Sequence, residues 1–466
     1  MAKSYRLTAN WIVVIVALAF IVRTAYGLLQ QDALSIYTNT GGDSRWYLSS
    51  AYILVTGNQL GTLNVDVSHL STAPLYLVFI GLMQMAFPWA GAVIVIRLLQ
   101  AAMGAAACYF AYRIGWSLTD DKRVGLVAAL VLAISPAFIM ESANILTETL
   151  YIFLILGALW VYILGIKALL AANPDETRSQ PYLLIAAVLF GLSTLTRAVL
   201  LLFPLALAFH LLLVSGWRKG LQRALLLLVV YSLIVSTWTI YNRVKWNRWV
   251  IGAEGFAAFL YIGASNDGWQ GPSAVDQNLA QDANLDGQLP TQPEDQQEIY
   301  RETALGIITR DPLEWLSRRA GQLGSAILQP HGTIFFPGES LKDLAAHWWQ
   351  SDRTLGGLLA MTAGDAFWPK LIIYLFHYIG LVLGLIGVWL SRRAWRLTFP
   401  LIAFVLYTFG VHFVLEAIPR YIFPATAIWW IFAAITIVKI GAVLRQRGRG
   451  ADKALLAEGV QHSPLS

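Results

Sequence analysis

The stretch 41–57, GGDSRWYLSSAYILVTG, sets a carboxylate at the head of a short helix. Two glycines lead into Asp43, and Tyr47, Ala51 and Leu54 follow at helical spacing, so Asp43 is an N-cap or first-turn residue. A carboxylate there can take a proton from a hydroxyl nucleophile or help hold a metal ion. It is also an ordinary helix cap, and composition alone favours the cap. A second acidic pair, Glu141 and Glu148, stands in ESANILTETLYIF. Glu148 opens a strongly apolar helix after Thr147. An acid at that depth is costly unless partnered, although a helix N-terminus also stabilises one.

Three basic clusters interrupt the apolar sequence elsewhere: Arg197 in LSTLTRAVLLLFP, then Arg243, Lys245 and Arg248 in YNRVKWNRW, then Arg420 in EAIPRYIFP. Arginine can grip a phosphate with two parallel hydrogen bonds. Any one of these residues could equally snorkel to headgroups; three clusters on one face point to an anionic ligand. Trp46, Tyr47, Trp246 and Trp249 can stack on a sugar or sit in the interfacial belt, and the belt is the commoner role. Asp43 and Glu148 are two carboxylates within reach of a divalent metal ion, which leaves the metal undecided, and no other cofactor is implied. Asp282, Asn284, Asp286 and Gly287 resemble the start of an EF-hand loop, but the twelfth position falls on Pro293 and no helix pair is expected around it. The seven histidines form no HExxH pair, and there is no Walker A motif and no GxGxxG after a strand. Nucleotide use is therefore not expected. The single cysteine, Cys108, excludes a disulfide framework and a CxxC metal site.

These residues must be positioned by membrane-spanning helices. Of the 466 residues 57% are hydrophobic and 13% charged, with mean hydropathy +0.59. A soluble domain carries about 25% charge, so disordered, fibrous and ordinary cytosolic classes are excluded. The net charge of +6 is spread between apolar runs rather than gathered on one basic face, which argues against a nucleic-acid partner. Runs long enough to cross a bilayer, roughly 20 residues, are 11–29, 91–112, 124–140, 146–166, 182–197, 198–214, 224–241, 371–390, 397–415 and 421–440. That predicts an all-α polytopic membrane protein with about ten spans, of which 182–197 and 198–214 meet at Arg197 and could be one kinked element. The first run is read as a retained span rather than a cleaved leader.

Lys3, Arg6 and the basic loops 113–123, 167–181, 215–223 and 391–396 fall on one side if the chain alternates, and with the tail arginines they mark that side as cytoplasmic. The parity holds only if 73–88, APLYLVFIGLMQMAFP, does not cross; at about 16 residues it is short for a span and is read as an interfacial helix on the outer face. The expected organisation is a module 1–241 with a first outer loop 30–72 and the interfacial helix 73–88, a large outer loop 242–370, further spans over 371–440, and a basic tail 441–466. Within the large loop, 265–300 carries Asp267, Asp276, Asp282, Asp286, Glu294, Asp295 and Glu298 and no Lys or Arg, as a solvated segment does. The region 298–328 then reads as an amphipathic helix broken near Asp311-Pro312.

With these residues laid out, the chain resembles bacterial GT-C glycosyltransferases of family 39, the group of protein O-mannosyltransferases and the aminoarabinose transferase of lipid A. The segments that carry the resemblance are, in order, GGDSRWYLSSAYILVTG, APLYLVFIGLMQ, RLLQAAMGAAACYFAYRIG, GLVAALVLAISPAFIMESANILTETLYIFL, GLSTLTRAVLLLFPLALAF, IYNRVKWNRWVIGAEGFAAFLYIGASNDGWQG and EAIPRYIFPATAIWW. They cover nearly the whole chain except 270–300 and the tail. The resemblance implies a GT-C fold with outer-face juxtamembrane helices, in the inner membrane; the loop parity puts both termini on the cytoplasmic side. It implies a sugar donor on a polyprenyl phosphate, inversion at the anomeric carbon, and a catalytic acid in the first outer loop. Asp43 matches that acid, and Glu148 matches a second acidic position, so both are expected to be catalytic. The sequence departs from the family where Thr237 replaces a proline and Tyr241-Asn242-Arg243 replaces Arg-Asn-Tyr, which puts the phosphate role of Arg243 in doubt; Ser44 stands where eukaryotic mannosyltransferases have a second acid.

The expected reaction is a single displacement in which an acceptor hydroxyl on a protein, lipid or glycan gives its proton to Asp43. Outer-face basic residues (Arg420 and Arg243 first, with Arg197 and Lys245) hold the leaving phosphate, and Tyr47 and Trp46 contact sugar or acceptor. A transporter or flippase of a lipid-linked sugar is the rival reading, but paired halves with matching broken helices are not seen. An assembly subunit or a polymerase using undecaprenyl diphosphate is a second rival, and a polymerase would not explain the Asp43 segment.

Overall fold

A computed structural model describes residues 2–30, 43–56, 72–173, 175–265, 272–283, 285, 289–290, 293–364 and 366–461. Among these the regular structure is helical and no strand occurs. The helices are α1 (Ala2–Leu29), α2 (Asp43–Thr56), α3 (Pro74–Ala86), α4 (Trp89–Thr119), α5 (Lys122–Ile134), α6 (Pro136–Glu141), α7 (Glu148–Leu169), α8 (Glu176–Thr196), α9 (Phe203–Ser215) and α10 (Trp217–Trp246). They continue with α11 (Phe256–Ala264), α12 (Pro272–Asp282), α13 (Pro293–Arg310), α14 (Pro312–Leu328), α15 (Leu341–Ser351), α16 (Leu355–Thr362), α17 (Phe367–Leu390), α18 (Trp395–Val414) and α19 (Pro419–Gln461). Most of the first outer loop and the EF-hand-like positions 284 and 286–287 lie outside the described residues.

Nine helices among the described residues are long and apolar enough to cross a membrane: α1, α4, α7, α8, α9 with the turn before it, α10, α17, α18 and α19. About ten were expected, and the remaining run, 124–140, is not one helix, although it too leads from the Asp120 end of the bundle to the end where α7 begins. It divides into α5, of 13 residues, and α6, of six. Pro136 has no N–H to give to the Leu132 carbonyl, and it holds Ser135 in an extended conformation (φ −64°, ψ 122°). Arg23 of α1 replaces the missing donor: its Nη2 donates to Leu132 O at 2.8 Å and its Nη1 to Ala133 O at 3.1 Å. A buried arginine inside a span thus completes a broken backbone. The runs 182–197 and 198–214 are separate helices, and Arg197, extended at φ −143° and ψ 110°, is the break between them. The predicted break in 298–328 falls at Asp311, which caps α14 by accepting from Glu314 N at 3.0 Å.

Two ends of the bundle have different chemistry. At one end Lys167 pairs with Asp120 at 2.7 Å, and Lys219 and Arg223 pair with Glu176 at 2.6 and 3.3 Å; the loops 113–123, 167–181 and 215–223 therefore gather there. The starts of α2, α7 and α19 and the end of α8 meet at the other end. The main core of α1, α4, α5, α7–α10, α18 and α19 fills the space between. A second apolar cluster (Leu48, Ala51, Tyr76, Leu77, Ile80, Val93, Ile96, Leu150) packs α2 and α3 onto α4 and α7.

The α2–α3 contact sets where Asp43 stands. α3 has 13 residues, about 20 Å of helix at 1.5 Å per residue, short of a bilayer core. Gln84 Nε2 donates to Leu48 O at 3.0 Å. Gly81 lets the helices close: a Cβ there would lie 2.7 Å from Val55 Cγ1 and 2.9 Å from the Ala51 carbonyl oxygen. Gly81→Ala is therefore expected to push α2 off its seat and cost about 1–3 kcal/mol, the usual penalty of overpacking. Thermal unfolding of the purified variant checks this, and an unchanged midpoint would show that Val55 yields freely.

Candidate functional site

Asp43, Glu148, Arg197 and Arg420 come from four separate stretches of sequence and meet at the end of the bundle opposite the basic loops. Each stands at a helix end. Asp43 opens α2 and Glu148 opens α7, where the unpaired N–H groups of the first turn favour a carboxylate. Arg197 occupies the α8–α9 break, and Arg420 is the second residue of α19, behind Pro419. Arg420 is the bridge. Its Nε donates to Glu148 Oε1 at 2.5 Å, its Nη2 to Glu148 Oε2 at 3.5 Å, and its Nη1 to Asp43 Oδ2. Arg197 Nη1 donates to the same Glu148 Oε1 at 3.2 Å.

Burial separates the two acids. The Glu148 side chain is 0% exposed, the Arg197 and Arg420 side chains 11% and 15%, and Asp43 62%. Glu148 is thus enclosed by two guanidinium groups and a bond from the Thr147 hydroxyl at 3.3 Å, with no open side from which to meet a substrate. Asp43 is the carboxylate with solvent access. Aromatic faces complete the arrangement: the Arg197 guanidinium lies 5.6 Å from the Tyr151 ring centre and 5.4 Å from that of Tyr421, a cation–π geometry. A narrow pocket beside Arg197 is lined by Tyr151, Tyr407, His412 and Tyr421.

Tyr47 sits one turn after Asp43, with Trp46 edge-on at 5.2 Å and Tyr76 edge-on at 5.5 Å. Burial pushes the Tyr47 hydroxyl up from its ordinary pKa, against the pull of Arg420, so it stays a neutral donor. Behind it runs a chain of polar groups that was not expected from sequence. Tyr76 donates to Gln100 Oε1 at 2.7 Å, and Gln100 Nε2 donates to the Ser142 and Asn144 carbonyls at 2.9 and 2.7 Å. Arg97 Nε donates to Ala143 O at 2.9 Å. Two polar residues of α4 therefore fix the loop 142–147 that delivers Glu148. Arg97 and Gln100 stand inside the apolar run 91–112, and a polar group at such a depth was itself the available signal.

Glu141 does not join the arginine pair. It meets His331, from the loop after α14, at 2.9 Å, and Asn144 Nδ2 at 3.2 Å; both Glu141 and His331 are buried. Arg243 and Lys245 also lie apart from Arg420. Both are exposed in the last turn of α10, where Arg243 donates to Asn247 O at 3.0 Å and covers the Trp249 ring at 5.3 Å. Among the described residues no group of three or more His, Cys, Asp and Glu side chains could hold a metal ion. Asp43 and Glu148 each already accept from Arg420, so the donor set here does not fit a metal.

The turn before Arg420 is held from the large loop. Arg319 of α14 is buried and donates to Phe413 O and His412 O, both at 2.7 Å, and to Leu415 O, which satisfies the last carbonyls of α18. Burial pushes the neighbouring Glu416 carboxyl up to about 7, although Arg319 pulls it down. A carboxyl whose folded pKa lies above its ordinary 4.5 holds its proton more tightly when folded. Stability is therefore full at low pH and falls as pH rises from about 4.5 to about 7, by up to about 3 kcal/mol. Glu416→Gln should flatten that slope in melting temperatures taken from pH 4.5 to 8; an unaltered slope would contradict this.

Comparison with known proteins bears on the fold. A model of the dolichyl-phosphate-mannose-protein mannosyltransferase family matches residues 71–241, which include Glu148 and Arg197 but neither Asp43 nor Arg420. No curated protein matches the chain. The archaeal oligosaccharyltransferase AglB from Archaeoglobus fulgidus, solved with an inhibitory peptide and a dolichol-phosphate, superposes with a TM-score of 0.53 at 16% identity over 95% of this chain and 52% of that one. An oligosaccharyltransferase from the same archaeon, tethered to an acceptor peptide, gives 0.54 at 14% identity, over 94% and 50%. This chain thus spans about half the length of that relative. ArnT from Cupriavidus metallidurans in the apo state covers 92% of this chain and 78% of its own at 14% identity, with a TM-score of 0.41. The chain has the GT-C glycosyltransferase fold.

Proposed function

We propose that this chain, built on the GT-C fold, is an inverting glycosyltransferase that moves a sugar from a polyprenyl-phosphate donor to an acceptor hydroxyl. The observation that carries the reading is the Arg420 bridge between an exposed and a buried carboxylate. Glu148 orients two guanidinium groups at the mouth of the bundle, the arrangement that suits a phosphate. Asp43, the exposed acid on the same arginine, stands where an acceptor would approach. In the reaction the acceptor oxygen bonds to the anomeric carbon as the bond from that carbon to the phosphate oxygen breaks. The acceptor proton goes to Asp43, and the charge on the departing polyprenyl phosphate is taken up by Arg420 and Arg197. Tyr47 and Trp46 flank the sugar. The dolichol-phosphate bound in the AglB structure supports a lipid-phosphate ligand in this fold.

In this reading the basic loops face the cytoplasm, both termini lie there, and the site opens on the outer face of the bacterial inner membrane. Residues 1–241 carry the base and Glu148, residues 242–370 form the outer loop, residues 371–440 return Arg420 to the site, and residues 441–466 form a cytoplasmic tail. The phosphate role is tested by binding undecaprenyl phosphate to purified wild type and variants. Arg420→Ala should weaken binding about 10- to 100-fold, the value of a lost charge-assisted hydrogen bond of about 1.5–3 kcal/mol. Arg243→Ala, whose guanidinium is held by Asn247, should change it little. The reverse order would move the phosphate site to the end of α10.

A further inference from the structure

Between Pro337 and α17 the chain makes a helical hairpin that the reaction does not use. Both of its ends are fixed to the first turn of α17. Lys370, the fourth residue of that helix, is buried and donates to the carbonyls of Pro337, Gly338 and Glu339 at 2.8, 2.9 and 2.8 Å. On the return side, Phe367 N donates to Gly364 O at 3.0 Å. Residues 339–364 therefore leave and rejoin at the level where α17 begins its apolar span.

The hairpin is well made internally. Ser340 caps α15 by accepting from Asp343 N at 3.1 Å, and Trp348 Nε1 donates to Thr354 O at 2.9 Å across the turn. Yet neither helix buries a residue. α16 has the sequence LGGLLAMT, with no charge, and Leu355 and Leu359 are 78% and 68% exposed. Trp349 of α15 and Leu358 are also exposed. A clustered apolar surface of this kind needs a covering. It lies beside an apolar stripe of α17 (Trp368, Ile372, Leu375, Ile379), equally exposed, which continues down a span. Arg353 covers the Trp349 ring at 4.7 Å, as a snorkelling cation does beside an interfacial aromatic.

We propose that α15–α16 is a membrane-surface hairpin whose partner is the bilayer itself. Trp349, Leu355, Leu358 and Leu359 enter the boundary between headgroups and acyl chains, level with Trp368, while Lys342, Asp343 and Asp352 stay in water. The immersion is that of an interfacial helix, about 5–10 Å. This does not depend on the transferase reading.

Nitroxide labels placed in the full chain at Leu355→Cys, Leu359→Cys and Asp352→Cys test it in lipid nanodiscs. The native Cys108 is buried, and wild type gives the labelling background. Leu385→Cys, on the exposed face of α17 within the span, is the lipid control. The ratio of collision rates with oxygen to those with a water-soluble nickel chelate should be several-fold higher at 355 and 359 than at 352, and approach that at 385. A ratio at 355 and 359 equal to that at 352 would place the hairpin in water. Low collision with both reagents, or failure to label, would mean that protein covers the face. Either result overturns the proposal.

Discussion

Asp43→Asn is expected to lower kcat by about 100- to 10,000-fold, the usual contribution of a positioned general base, while leaving donor affinity and fold intact. The reasoning rests on exposure. The Asp43 side chain is 62% exposed, and an exposed ion pair is worth about 0–1 kcal/mol, so losing its charge removes little stability. Asparagine keeps the shape in the first turn of α2, but it cannot take a proton. Arg420 keeps its bonds to Glu148, so the phosphate-holding pair stays in place. The measurement is steady-state kinetics with donor and acceptor varied separately. A raised donor KM with unchanged kcat would make Asp43 part of the donor site instead.

Glu148→Gln should behave in the opposite way. Glu148 is fully buried between Arg197 and Arg420, and removing one member of a buried ion pair costs about 3–5 kcal/mol, because the remaining charge is left uncompensated. Here two guanidinium groups lose their shared partner. Each should turn toward water, and the site should lose its grip on phosphate. The expected result is a lower melting temperature together with a raised donor KM, and Glu148→Asp should recover part of both. If Glu148→Gln bound donor more tightly at unchanged stability, Glu148 would be a brake on the cations and not their support. The two variants thus divide the site by role: one acid acts on the acceptor, the other acts through the arginines.

The parts of this arrangement that sequence disclosed were those with a local reason to be unusual. Glu148 is an acid at the head of a strongly apolar helix, and Arg197 and Arg420 are cations at span ends away from the basic loops. Each is costly to place there, so each stood out. Asp43 stood out through its glycines and its helical spacing. Arg243 and Lys245 satisfied the same local test, yet the last turn of α10 points them into the open, where Arg243 bonds Asn247 four residues on. Local sequence does not reveal which way such a turn faces.

What sequence concealed was partnership at a distance. His331 and Glu141 are 190 residues apart, and nothing in either segment announces the other. The same holds for Arg319 and the end of α18. Arg23 was hidden differently. Pro136 lies inside 124–140, which was read as one span, and the donor that replaces its N–H comes from the first span, so only the packed bundle brings them together. The hairpin α15–α16 escaped notice because its apolar stretch is too short to count as a span.

The proposal is that Asp43, Arg420 and Arg197 together transfer a sugar from a lipid phosphate. Mass spectrometry of the lipid-linked sugar pool and of the envelope glycans tests it most directly. A strain lacking this protein is compared with strains restored, at equal expression, by wild type or by Asp43→Asn. The account predicts that a polyprenyl-phosphate sugar accumulates in the deficient strain while one glycan, lipid or protein loses a sugar mass, and that wild type alone reverses both changes. Full restoration by Asp43→Asn would contradict it, leaving Asp43 as a helix cap and moving a transporter of lipid-linked sugar ahead of the transferase.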